Sequence, residues 1–108
     1  MNNVIESLFN KLEKEFGHST VDKLKRGEPI TGAKAWSLYE YLRRMGGKIV
    51  YEDEEVDDRE CYIVFMRLSD NLFFTLVKNG NKTKAYILEH LSEKQVEKIL
   101  DIYNRCLG

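Results

Sequence analysis

Apolar residues recur at steps of three and four in the first part of the chain and at alternate positions in the middle. Residues 4–16 carry a one-sided apolar stripe with polar side chains between its members, which predicts an amphipathic helix ending at Gly17. The stripe consists of Val4, Ile5, Leu8, Phe9, Leu12 and Phe16. Ser19, with Asp22 three residues later, then predicts the N-cap of a brief second helix through Arg26.

A third helix is predicted from Thr31, as its cap, to about Met45. Its buried seam is expected at every third or fourth position, and Gly46-Gly47 is expected to end it. The seam residues are Ala35, Leu38, Leu42 and Met45.

After Gly47 the period of the apolar pattern changes to about two, which is typical of strands. Two turns, Asp70-Asn71 and Asn79-Gly80-Asn81, separate the last three predicted strands. The four predicted strands are 48–52, 61–69, 72–77 and 82–91. Ser92–Gln95 predicts a capping box at the start of a final helix. The predicted apolar stripe of that helix is Val96, Ile99, Leu100, Tyr103 and Leu107.

The order of these elements predicts a single α+β domain over residues 1–108. Its helical part is expected at 1–47, and a four-stranded antiparallel β-meander with a C-terminal helix at 48–108. Short connections favour the meander, with helices covering one face of the sheet.

Composition narrows the class of protein. With 43% hydrophobic and 11% aromatic residues, the chain has the make-up of a folded domain. It shows neither a leader-like start nor an apolar run of about 20 residues, so we expect a cytoplasmic protein with no membrane partner. The sequence contains no phosphate-binding glycine loop, no catalytic signature and no His/Cys metal spacing. We therefore expect no enzyme activity, cofactor or metal, although a Cys–His nucleophilic pair brought together by folding stays open as a minor alternative.

Charge is distributed unevenly along the chain. Residues 52–60, the acidic segment, hold seven acids and one base, and the other 99 residues hold 11 acids and 16 bases, a net charge of +5. The acids are Glu52, Asp53, Glu54, Glu55, Asp57, Asp58 and Glu60. Such a segment is expected to lie in solvent as a connection between strands, or to dock on a basic protein surface of the kind that holds phosphates. A divalent-cation site is a third alternative, although the spacing does not fit an EF-hand.

A second candidate surface lies on the third predicted helix. Trp36, Tyr39 and Arg43 share one helical face, and their types are those favoured at the centre of protein interfaces. The competing hypothesis places Trp36 in the core, as is common for a lone tryptophan in a small domain.

Residues 19–28 read Ser-Thr-Val-Asp-Lys-Leu-Lys-Arg-Gly-Glu, and Leu38–Leu42 and Gly46-Gly47 follow them. The stretch 19–47 resembles the recognition helix and next helix of Cro/phage-repressor-type helix-turn-helix domains. The resemblance implies that the first predicted helix begins the motif and that four side chains face duplex DNA. These are Ser19, Thr20, Lys23 and Arg26. The alternative is an ordinary short helix with solvated lysines.

Two functional hypotheses follow from these features. The first is a non-enzymatic protein-binding module, such as a small inhibitor or an immunity- or antitoxin-like protein, which docks on a larger basic-surfaced protein through the acidic segment. The second is a helix-turn-helix transcriptional regulator with a β-rich half for dimerisation or sensing. A strand edge or the face of the third helix could also support a homodimer.

Overall fold

Three helices precede most of the sheet in the computed structural model, which describes residues 3–53 and 61–89 together with Lys94, Glu97 and Asp101. The helices are α1 (Asn3–Phe16), α2 (His18–Lys25) and α3 (Ala33–Arg44). The predicted first helix is confirmed. Its stripe faces inward except at Val4, which is 61% exposed: Phe9 and Leu12 are buried, and Ile5, Leu8 and Phe16 pack against the core.

The predicted caps of the next two helices are wrong. α2 begins directly after Gly17, whose φ of 91° is a left-handed value that favours glycine, and Ser19 lies within the first turn. α3 begins after Gly32, with a φ of 67°, and Thr31 belongs to a strand. In both places the chain must reverse over a very short connection, and the glycine backbone provides that reversal without a side-chain cap.

The described strands form one antiparallel sheet in the order β1-β5-β4-β3-β2. Their bounds are β1 (Ile30–Thr31), β2 (Lys48–Asp53), β3 (Cys61–Ser69), β4 (Leu72–Asn79) and β5 (Lys82–Glu89). The last four form the predicted meander, but the predicted count of four strands is wrong. The chain between α2 and α3 adds β1 to the edge of β5, with Ile30 opposite Ala85 and Thr31 opposite Lys84.

The core lies between α1–α3 and one face of the sheet. Cross-strand pairing aligns Met66, Phe74 and Ile87 in one row on that face, and all three are buried. The helices contribute Val21, Leu24, Ala35, Leu38 and Leu42 to the same cluster. The fold is therefore α+β, with the helices of the described part packed on one face of an antiparallel sheet.

The predicted C-terminal helix and the end of the last predicted strand, at His90 and Leu91, lie outside the described residues. Within that stretch Lys94, Glu97 and Asp101 are described, and each is helical and exposed. No helix in the described part of the chain is long and apolar enough to cross a membrane.

Candidate protein-binding surface

A bulge in β2 determines which side of the sheet Glu52 occupies. Ile49 pairs with Met66, Tyr51 with Phe65 and Glu52 with Val64, so Val50 is the extra residue. In a regular strand, positions 49 and 52 would lie on opposite faces. The bulge places both on the face that packs against the helices, because the residues opposite them, Met66 and Val64, belong to the core.

On this face Glu52 meets Tyr62 of β3. The Tyr62 hydroxyl donates a hydrogen bond to Glu52 Oε1, and both side chains are partly buried. Burial, and then hydrogen bonds with Glu52 and Tyr39, raise the pKa of Tyr62 well above its ordinary value of 10.0. At neutral pH the phenol therefore stays protonated and acts as a hydrogen-bond donor.

Trp36 connects this pair to α3. Its ring centroid lies 5.7 Å from that of Tyr62 and 6.3 Å from that of Tyr39, the latter in an edge-to-face arrangement. The indole Nε1 donates to Thr83 Oγ1 at 3.2 Å, which fixes the ring against β5. Trp36 is partly buried, so it both supports the core and presents part of its ring at the surface.

Tyr39 and Arg43 complete the cluster, one and two helical turns beyond Trp36. Tyr39 is 7% exposed and stacks on Phe74, with ring centroids 6.2 Å apart. The exposed Arg43 donates from Nη1 to Tyr39 Oη at 3.3 Å, and its guanidinium carbon lies 6.0 Å from the centre of the Tyr39 ring. The predicted patch is thus assembled around a buried tyrosine.

We call Trp36, Tyr39, Arg43, Tyr62 and Glu52 the aromatic–acid surface, in which Tyr39 is buried and supports the other four, which are exposed wholly or in part. It joins the predicted helix patch to the first residue of the acidic segment. The sequence did not single out Tyr62 or Thr83 for it, because neither belongs to a motif. Strand alternation alone could have placed Tyr62 on the core face beside Val64, but nothing in the sequence locates the bulge at Val50.

Of the acidic segment, the structure describes Glu52 and the backbone of Asp53, which ends β2. The other five acids lie outside the described residues; they are Glu54, Glu55, Asp57, Asp58 and Glu60. Within the part that is described, no group of three or more His, Cys, Asp or Glu side chains could hold a metal ion.

The four side chains expected to face DNA do not all point outward. Ser19, Lys23 and Arg26 are exposed, whereas Thr20 is 3% exposed and its Oγ1 accepts a hydrogen bond from Lys34 Nζ at 3.2 Å. Thr20 is therefore not available to DNA.

Arg26 is exposed but already paired with acids of its own chain. Its Nη2 lies 3.2 Å from Asp22 Oδ2 and 3.4 Å from Glu28 Oε2. Lys23 and Ser19 are the two predicted positions that are both exposed and outside these ion pairs.

No family model, no curated protein and no solved structure matches the chain.

Proposed function

We propose that the chain is a non-enzymatic protein-binding module that contacts its partner through the aromatic–acid surface. The observation that carries the proposal is the hydrogen bond from Tyr62 to Glu52 beside Trp36. It makes the helix patch and the start of the acidic segment one continuous surface, where the sequence offered two separate candidates.

The side chains of this surface are of the types that dominate binding energy at interfaces. Trp, Tyr and Arg are enriched at hot spots, and their large rings contribute contact area with few rotatable bonds. Here the rings already hold one another, since Trp36 contacts both tyrosines and is fixed by Thr83. Ordering them on binding therefore costs little conformational entropy.

The acidic segment supports a partner with a basic surface. Residues 52–60 hold seven acids, and the first of them, Glu52, belongs to the aromatic–acid surface, so the sequence offers long-range attraction from the segment together with a short-range anchor. A small inhibitor or an immunity- or antitoxin-like protein works in this way, by covering a basic groove of a larger target. Its association is expected to be fast at low salt and slower as salt screens the charges.

The experiment is a quantitative pull-down from the source cell, read by mass spectrometry. The bait is the wild-type chain, Arg43→Ala, or Lys14→Ala as a matched control. Arg43 and Lys14 are both exposed cations on helices, but Lys14 lies on α1, outside the aromatic–acid surface. We expect at least one protein that the wild type and Lys14→Ala retain and that Arg43→Ala loses. If Arg43→Ala retains everything that the wild type does, the proposed surface is wrong.

DNA binding by α2 is the alternative function, favoured by the exposure of Ser19 and Lys23. Its test is the anisotropy of labelled duplex DNA at low salt. Because Arg26 is paired with Asp22 and Glu28, Lys23→Ala should weaken binding more than Arg26→Ala does. Unchanged anisotropy on addition of the wild-type chain would remove this alternative.

A further inference from the structure

A cavity of about 360 Å³ opens between α1, the end of α3 and the turn from β3 to β4. Four leucines are among its lining residues, and Val4 and Met45, which are 61% and 41% exposed, also line it. The leucines are Leu8, Leu42, Leu68 and Leu72. We call this cavity the leucine pocket. Its volume lies at the lower end of the range of small-molecule sites in proteins.

The leucine pocket lies away from the aromatic–acid surface. Met45, the C-cap residue of α3, follows Trp36 by nine residues, about two and a half helical turns, so the two side chains lie on opposite sides of the helix axis. A ligand in the leucine pocket and a protein on the aromatic–acid surface would therefore not compete for the same side chains.

Two polar side chains of the pocket have no partner among the described residues. Lys11 is its one charged lining residue within the described part of the chain, where no carboxylate pairs with its exposed ammonium group. Ser69 Oγ is buried and has no hydrogen-bond partner. Buried hydroxyls are seldom left unpaired, because an unmade hydrogen bond is costly.

We propose that the leucine pocket binds a small amphipathic anion, whose apolar body covers the leucines and whose anionic head pairs with Lys11. The charge of the lining decides the sign of the head, since Lys11 is present and no described lining residue is acidic. Because the Ser69 hydroxyl is buried in the chain without ligand, it can donate to an oxygen of the same ligand only after its side chain turns toward the pocket. An uncharged apolar ligand would contact the leucines but would leave Lys11 and Ser69 unpaired.

The test uses decanoate, below its micelle concentration, as the probe and isothermal titration calorimetry of the full chain as the measurement. Decanol has the same tail without the charge, and butyrate has the charge without the tail. We expect decanoate to bind and both comparison compounds to bind more weakly. Equal binding of decanol and decanoate would overturn the charged head, and no decanoate binding would overturn the proposal.

Two substitutions of exposed residues on α1 test where the ligand binds without changing the core. Ser7 lines the pocket and is exposed, so Ser7→Trp should fill it and abolish decanoate binding. Lys11→Gln should weaken binding about fivefold, which is the scale of an exposed ion pair. Lys14→Gln, the same change one turn along α1 and outside the lining, should have no effect. If Lys14→Gln weakens binding as much as Lys11→Gln, the anion is held by general charge and the site is wrong.

Ser69→Ala separates a ligand contact from a structural role. The variant removes a hydroxyl that has no described partner, so the chain without ligand should be no less stable in thermal unfolding. Decanoate affinity should nevertheless fall. Unchanged affinity would show that the hydroxyl does not reach the ligand.

If Ser7→Trp instead changes the sedimentation of the protein and decanoate does not bind, the pocket is an interface between copies and the proposal fails.

Discussion

Trp36 ties α3 to two strands of the sheet at once. Its indole nitrogen donates to Thr83 of β5, and its ring lies against Tyr62 of β3, which in turn donates to Glu52 of β2. These contacts link the residues of the aromatic–acid surface to one another and to the sheet. Each can be tested separately by a substitution that keeps the shape of the side chain.

Thr83→Val removes the acceptor of the Trp36 hydrogen bond and keeps the branched shape of the side chain. We expect a loss of about 1 kcal/mol in the free energy of unfolding, a typical net value for one hydrogen bond. Urea unfolding of Thr83→Val, Trp36→Phe and the double variant measures the coupling between the two residues. Additive effects of the two changes would mean that the bond contributes nothing.

The raised pKa of Tyr62 gives the protein a defined response to alkaline pH. Below the ordinary tyrosine pKa of 10.0, Tyr62 is protonated in both the folded and the unfolded state, so its contribution to the free energy of unfolding is fully present. As the pH rises above that value the unfolded state loses the proton first, and the free energy of unfolding falls.

Tyr62→Phe should therefore show a shallower decline of stability above pH 10.0 than the wild type. Burial also raises the pKa of Tyr86, so part of the decline should remain in the variant, and Tyr86→Phe serves as the matched comparison. Urea unfolding across the alkaline range provides the measurement. Identical slopes for Tyr62→Phe and the wild type would show that Tyr62 ionises alike in both states.

At the scale of elements, the sequence predicts what depends on long runs of residues. The apolar stripe gave α1, and the aromatic and β-branched run Cys61–Ser69 gave β3 with the same bounds as in the structure. The predictions that failed concern features that depend on single residues or on pairing with a strand distant in the sequence. Gly17 and Gly32 start helices where Ser19 and Thr31 were expected, because the backbone turn and not a side-chain cap sets the start.

The short strand β1 and the bulge in β2 have no pattern of their own. Two residues after Pro29 cannot show alternation, and β1 exists because β5 offers a free edge to pair with. The bulge is a shift in the register of β2 against β3 between Ile49 and Tyr51, and such a shift depends on the partner strand. For this reason the sequence predicts the patch of Trp36, Tyr39 and Arg43 but not the contact through Tyr62 that joins the patch to Glu52.

Ile30→Ala tests the contribution of β1. Ile30 is 4% exposed and packs in the core, so its truncation should lower the free energy of unfolding by about 2–4 kcal/mol. The neighbouring Thr31 is exposed in the same strand, and Thr31→Ala should have a much smaller effect. Equal effects of the two changes in urea unfolding would mean that β1 is held by its backbone pairing and not by the Ile30 side chain.

At the scale of the whole molecule, the chain carries opposite net charges in separate parts of its sequence. The acidic segment holds seven acids, whereas the other 99 residues carry a net charge of +5. Under the proposed function, the acidic segment would attract a basic-surfaced partner and the rest of the chain would repel it, and Glu52 places the start of that segment at the aromatic–acid surface. Orientation by charge and anchoring by Trp36 and Arg43 predict two different kinetic effects.

The most direct test measures the association and dissociation rates of the captured partner at low and moderate salt. One variant neutralises four acids that follow β2 (Glu54→Gln, Glu55→Gln, Asp57→Asn and Asp58→Asn), and the other is Arg43→Ala. The neutralised variant should associate more slowly, with a flatter salt dependence and nearly unchanged dissociation, because distant charges act mainly on encounter. Arg43→Ala should dissociate faster, because it removes a contact of the bound state. Wild-type association and dissociation rates in both variants would contradict the proposed binding function of this surface.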